Sequence, residues 1–386
     1  MRTLTAVLLL TAASLLPAAE STFAAWRDHV RVHEVAPAAA EHAIHAYFNT
    51  CPESPDGRWV LFYASKDADG DSGELRVLER ATGQVRTLVH ITKVEDAHRA
   101  ACQQWVDGGR TVAYHDCRAG RWLVAAVDLD SGKERIVALD RQLGFGSPAL
   151  PLLPLYGCHW NPGEHRDLEL ADVRSGQITT AVRIADVVTA HQEWVEKIFG
   201  ATDGLSVFFP VLSPDGGKVF FKVAKGRGGN DFKGMTASHR DGKIVWDLTG
   251  GKPLWRHDFW GHPSWAPDSA GIFEKGNVLT TLVGQQNRQF AKGSPSDHPS
   301  LSPDASLFVT DADLTKREGV DGVWGVIIGN TRQDEYAIIH RFVNNQGATS
   351  WRRSHPHPVF SADGRRIYFN VSAGPWTRLH VAELAE

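Results

Sequence analysis

The chain has 386 residues and a net charge of -4, so it lacks the basic excess of a nucleic-acid binder. It is rich in Gly (36), His (18) and Trp (13) and poor in Met (2). Its four cysteines include no Cys-x-x-Cys pair, which argues against a zinc ribbon or a disulfide scaffold.

Residues 1–19 read as a secretory signal peptide. Arg2 supplies the positive start, Leu4 to Leu16 is almost wholly apolar, and the small residues Ala18 and Ala19 follow. Such a segment is too short and wrongly flanked to span a membrane. The expectation is a secreted or periplasmic protein with no membrane span, whose residues 20–386 form one domain and act as a monomer. Export permits disulfides. Cys102 and Cys117 are candidates for neighbouring strands, although the sequence settles no pairing.

From residue 54 onward one phrase recurs: a Pro-Asp-Gly type turn, then a short β-rich run. Ser54-Pro55-Asp56-Gly57 precedes Trp59 to Tyr63, and Val106-Asp107-Gly108-Gly109 precedes Thr111 to Tyr114. Asn161-Pro162-Gly163, a weaker copy, precedes Leu168-Glu169-Leu170. Later copies start at Ser213, Ala266, Ser302 and Ser361, which makes seven, mostly fifty to sixty residues apart. Pro fixes φ and Asp-Gly accepts turn conformations, so the chain reverses. The β-branched and aromatic run that follows suits a pleated, half-buried surface. Second turns at Ala81-Thr82-Gly83, Asp130-Ser131-Gly132, Arg174-Ser175-Gly176 and Thr249-Gly250-Gly251 read as outer hairpins. The pattern predicts an all-β fold, a seven-bladed β-propeller of four-stranded antiparallel blades. Helical periodicity is scarce; Val187 to Phe199 is the one candidate for a short helix or long loop.

Histidines stand just before three consecutive late turns, in Gly261-His262-Pro263, Asp297-His298-Pro299 and His355-Pro356-His357-Pro358. Equivalent positions in successive blades lie at equivalent places around the axis, so these imidazoles are expected at one central cavity. Residues i and i+2 of an extended strand point the same way. His355 and His357 can therefore chelate one divalent ion, Mn or Zn, with His298 as a third ligand. A second group lies earlier: His98 before the second turn, His115 at a strand end, and Tyr156, His159 and Arg166 close together. It supplies a base, an acid and a cation. Basic residues also gather at Lys225-Gly226-Arg227 and His239-Arg240. The Gly-rich run there reads as a flexible loop, because no P-loop ending follows it.

Through the His355-Pro356-His357 segment, the Gly261-His262 and Asp297-His298 units and Phe48-Asn49-Thr50-Cys51, the chain resembles the oligogalacturonate lyase family and the related propeller ulvan lyases. The resemblance covers nearly the whole mature chain. It implies that His298, His355 and His357 bind Mn²⁺ and that His262 is the base. The family has a Gln three residues before the first His of the pair, and Arg352 stands there in this chain. The ulvan lyase pattern implies instead His98 and His115 as base or carboxylate contacts, Tyr156 as acid and Arg166 as the cation that neutralises the carboxylate. Either pattern implies β-elimination on an acidic polysaccharide or oligosaccharide that contains uronic acid. The competing expectation is a non-catalytic propeller, of the translocation-protein kind, that binds protein or glycan. The repeat suits both; the His-Pro-His pair favours the first. A peptidase propeller would need a Gly-x-Ser-x-Gly elbow, and the sequence has none.

Overall fold

Each repeat folds as the turn chemistry dictates. In the computed structural model, which describes residues 18–37, 40–234, 236–344, 347–350 and 352–384, seven four-stranded antiparallel sheets make the blades of a propeller. The blades are residues 42–91, 104–139, 141–182, 205–257, 264–289 and 300–343, and a seventh built from 359–384. The signal peptide expected at the N-terminus lies outside the described residues up to 17. Its expected boundary at residue 19 falls in the first turn of helix α1 (Ala18–Asp28).

Blade 7 takes its outermost strand from the other end of the chain. Val30–Glu34 pairs antiparallel with Arg378–Leu384, with Val30 opposite Leu384. Both ends of the chain thus join in one sheet, which closes the ring and leaves only short edges. Helix α1 then buries Phe23 and Trp26 against blades 6 and 7, with the Trp26 ring edge-on to Phe360.

The turns between the first and second strands share one wiring. In blade 1, Ser54 Oγ donates to Asp56 Oδ1 at 2.5 Å and accepts from the Trp59 N–H at 2.9 Å. Asp56 Oδ1 also accepts from the Arg58 N–H, and Gly57 sits at φ 72°. The same bonds recur at Ser213 and Asp215, Ser302 and Asp304, and Ser361 and Asp363. The Ser hydroxyl and the N–H groups after the reversal thus find local acceptors within each turn.

One repeat is out of register with the sequence reading. Asn161-Pro162-Gly163 joins the second and third strands of blade 3, Leu152–Gly157 and Leu168–Asp172. The first turn of that blade lies between Arg141–Leu143 and Leu152–Gly157, around Ser147-Pro148. Without the Asp-Gly pair, that turn left no signal to read. The four outer hairpins stand where expected, between third and fourth strands. The region 187–199 is helical: helix α2 (Ile184–Ala190) and helix α3 (Gln192–Phe199) meet at His191, whose φ of -134° breaks the run.

Tryptophan ties blades together. Trp105 Nε1 donates to Pro52 O at 2.8 Å, and Trp265 Nε1 donates to Val211 O at 3.0 Å, each reaching the preceding blade. All four cysteines carry free thiols. No helix among the described residues is long and apolar enough to cross a membrane.

Candidate active site

The histidine motifs lie at the end of the innermost strands opposite the Ser-Asp turns. His262, His298 and His357 each stand two residues before an innermost strand: Ser264–Trp265, Ser300–Leu301 and Val359–Phe360. His262 and His357 adopt φ of 46° and 49°, a left-handed conformation that non-glycine residues seldom accept and that clusters at functional sites. Neighbouring blades hold these kinks in place. Ser264 Oγ donates to Pro299 O at 2.8 Å, and Ser300 Oγ donates to Pro358 O at 3.1 Å. Asn49 Nδ2 donates to Pro263 O at 3.0 Å. Asn370, on the second strand of blade 7, donates to Ser354 Oγ and His355 O and accepts from the His45 N–H.

Four imidazoles meet near the axis. The His98 ring centre is 4.6 Å from that of His357 and 4.8 Å from that of His355, and the His298 ring is 4.6 Å from that of His357. One ligand atom each of His98, His355 and His357 lie within 4.8 Å of one another. His298 belongs to a second such set, with His262 and Asp297. The expected group is therefore brought together with one change: His98 completes the tight trio, and His298 adjoins it.

Both ring nitrogens of His357, Nε2 of His98 and Nδ1 of His355 are buried without a hydrogen-bond partner. An unmet buried nitrogen costs about 1–3 kcal/mol. Burial holds His355 down at about 4 and His98 and His357 well below the usual imidazole range, helped by Arg352 beside His98 and by His298 beside His357. Neutral imidazoles with open lone pairs at this spacing suit a divalent metal ion. Behind them, Asp311 accepts from His298 Nδ1 at 2.8 Å and from the His357 N–H at 3.0 Å. Such a carboxylate fixes the tautomer and ring angle of a ligand.

His262 has a different partner. Its Nδ1 lies 3.0 Å from Asp297 Oδ1, which also receives Lys275 Nζ at 2.7 Å. With Nδ1–H donating to Asp297, the free lone pair belongs to Nε2. The His262 ring stacks on that of His298 at 4.3 Å. Burial lowers the pKa of His262, and its bond to Asp297 opposes that shift. Burial of Asp297 is outweighed by the bonds from His262 and Lys275, which hold its carboxyl well below the usual range.

Beside this cluster opens a cavity of about 750 Å³, lined in part by Tyr47, His98 and His262. Its charged lining is cationic, with Arg99, Lys222, Lys225, Arg227, Arg240 and Arg352, and Thr236, Ser238 and His239 add neutral polar groups. No carboxylate stands among the described residues that line it. Lys225, Arg227, His239 and Arg240 belong to the stretches read from the sequence as a basic gathering and a flexible loop. The structure folds them into the wall through the pairing of Lys218–Gly226 with Ser238–Asp247.

Four residues of the early blades singled out in the sequence stand apart from this cavity lining. His115 is buried beside Trp122, its Nδ1 accepting from the Leu143 N–H. Tyr156 is fully buried in the core, its hydroxyl reached by Arg99 at 3.4 Å. Arg166 donates to Leu205 O on blade 4. His159 bridges Ser238 Oγ at 2.7 Å and Glu95 Oε1 at 3.1 Å inside the wall. The sequence reading missed Tyr47, Arg99, Lys222 and Asp311. For two of them a signal existed: Lys222 interrupts Val219-Phe220-Phe221 and Val223-Ala224, and Asp311 follows Leu307-Phe308-Val309-Thr310. A charged residue inside an apolar strand is costly unless it has work to do.

No protein-family model matches the chain, and no curated protein does. Among solved structures, it is similar to an oligogalacturonate lyase in complex with manganese, with 18% identity and a TM-score of 0.62 over 92% of this chain and 93% of that one. An oligogalacturonate lyase from Vibrio parahaemolyticus gives 17% identity and a TM-score of 0.61 over 92% and 94%. The Swd1 β-propeller domain of Myceliophteria thermophila gives 8% identity and a TM-score of 0.55 over 92% and 100%. At these identities the likeness is one of fold: this chain folds as the oligogalacturonate lyases do, along nine-tenths of its length.

Proposed function

We propose that the protein is a polysaccharide lyase that opens a uronic-acid-containing polysaccharide or oligosaccharide by β-elimination, and that it acts after export. The observation that carries this reading is the pairing of unpartnered buried imidazoles with a cavity whose charged lining is cationic throughout. The likeness in fold to the oligogalacturonate lyases, one of them bound to manganese, supports it.

In this reading His98, His355 and His357, with His298 beside them, hold a divalent ion, Mn or Zn. Once bound, it would draw charge from the substrate carboxylate and make the C5 proton more acidic. Arg352, at the place where the family pattern has Gln, adds a fixed positive charge near His98. Arg99 and Arg240 bind further carboxylates and orient the chain of sugars. His262 takes the C5 proton on Nε2, while Asp297 holds the tautomer and stabilises the imidazolium that forms. The roles that the ulvan lyase pattern implies for His115, Tyr156 and Arg166 pass to residues that face the cavity. His98 becomes a ligand rather than the base.

The test is a panel of uronic-acid polymers and oligomers with purified, metal-loaded protein, read by the ultraviolet absorbance of unsaturated uronyl ends. Product from at least one substrate, lost in His262→Ala, is the expected result. No product from any of them, with tight binding to one, would turn the reading to a glycan-binding propeller.

A further inference from the structure

β-Elimination needs two proton movements, one from C5 and one to the departing O4. His262 accounts only for the first, and the wall offers the phenol of Tyr47, the amines of Lys222 and Lys225, and the weakly acidic alcohols of Thr236 and Ser238 for the second; Lys225 Nζ reaches back to Phe199 O at 3.5 Å. Tyr47 lines the cavity, but burial pushes its phenol far above the ordinary value. Lys222 lines the same cavity from the second strand of blade 4, Lys218–Gly226. Its ammonium lies 4.4 Å from the centre of the Trp260 ring, and no carboxylate pairs with it among the described residues. Trp260 stands two residues before His262, a span of at most about 7 Å along the chain. Lys222, Trp260 and His262 line the same cavity.

We propose that Lys222 is the catalytic acid of this site, donating a proton to the glycosidic O4 as the C4–O4 bond breaks. The proposal rests on the lyase reading above. In the balanced step the C5–H bond breaks and its proton goes to His262 Nε2. Its electron pair forms the C4=C5 double bond, and the C4–O4 pair leaves on O4. One Lys222 N–H bond breaks to make that O4 the hydroxyl of the released sugar. Lys222 ends as an amine and His262 as an imidazolium, and water returns the proton from one to the other.

The surroundings suit the role. Burial first, then Arg240, Arg352 and Arg99, lower Lys222 to about 7, against a small opposing pull from Asp241. Catalytic acids work best when their pKa lies near the working pH, a condition that an ordinary surface lysine misses. The carboxylates of a bound uronate chain favour the ammonium again, so the donor is loaded when substrate is present.

The experiment uses the metal-loaded protein, Lys222→Met and Lys222→Arg, and two substrates. One is the uronate oligosaccharide that the wild type cleaves. The other is a uronate with a 2,4-dinitrophenyl group on O4, which leaves as the phenolate and needs no proton. On the oligosaccharide both variants should lose about 10²–10⁴-fold in kcat, because an Arg guanidinium holds its proton too firmly to give it up. On the dinitrophenyl substrate they should match the wild type. The wild type should lose its alkaline limb on that substrate alone. Equal losses on both substrates would show a structural role and overturn the proposal, as would no loss on either. Turnover of neither substrate by the wild type would overturn the lyase reading and this role together. A separate readout is trinitrophenylation at neutral pH: Lys222 should react first among the lysines and be shielded by the oligosaccharide. Slow reaction would overturn the proposal.

Discussion

The two ends of the innermost strands treat polar groups in opposite ways. At the turn end, Ser361 Oγ, Asp363 and the backbone of Arg365 and Arg366 satisfy one another within a few residues, and three other blades repeat the wiring. At the axial end, His98, His355 and His357 keep ring nitrogens buried and unmet. In the proposed reading these nitrogens hold a metal ion, whereas each of these turns satisfies its Ser hydroxyl and following N–H groups locally. The first end makes the ring; the second is where we place the chemistry.

Substitutions can break this contrast. The largest effect is expected from His357→Ala, which should abolish bound metal by elemental analysis and lower kcat/KM by at least about 10²-fold. Retention of one metal per chain would show that the unmet nitrogens are not ligands. Next comes Asp297→Asn, with a fall in kcat of about 10²-fold and little change in KM, since it frees the His262 ring to turn. Losing the carboxylate lowers the His262 pKa further, so the acid limb of kcat/KM should move to lower pH. An unmoved limb would mean that Asp297 does not act on His262.

A third test concerns stability rather than turnover. Burial lowers His115 from 6.5 to about 3. A folded-state pKa below the unfolded one means that the unfolded chain binds the extra proton, so acid destabilises the fold as pH falls from 6.5 towards 3. At about 1.4 kcal/mol per pH unit, the loss between pH 6.5 and about 5 is about 2 kcal/mol. His115→Gln should flatten that slope in urea denaturation, and an unchanged slope would place His115 in contact with water. The smallest effect belongs to the turn end. Ser361→Ala should cost about 1 kcal/mol, seen as a lower Tm, with kcat unchanged. A loss of activity there would show that the two ends are coupled.

Much of this architecture could be read from the chain, because a turn is a local object. Pro-Asp-Gly, with a Ser before it, carries its own bonds within six residues, so repetition counted the blades. Where the bonds changed, at Ser147-Pro148 in blade 3, the count survived but the register slipped. The His-Pro units were legible as a group because repeat register converts sequence position into angle about the axis. That register did not reveal that His98, from the loop entering blade 2, would meet blade 7, or that His115 and Arg166 would turn into the wall.

The sequence alone thus determined the number of blades, the outer hairpins and the late-blade imidazoles sent to the axis, all of which follow from short-range turn geometry and repetition. Only the tertiary structure decided which imidazoles share one space, which lose their partners, and that Lys222 and Arg240 face a cavity rather than solvent. Those outcomes depend on burial and on contacts between blades far apart in the chain, which local chemistry does not encode.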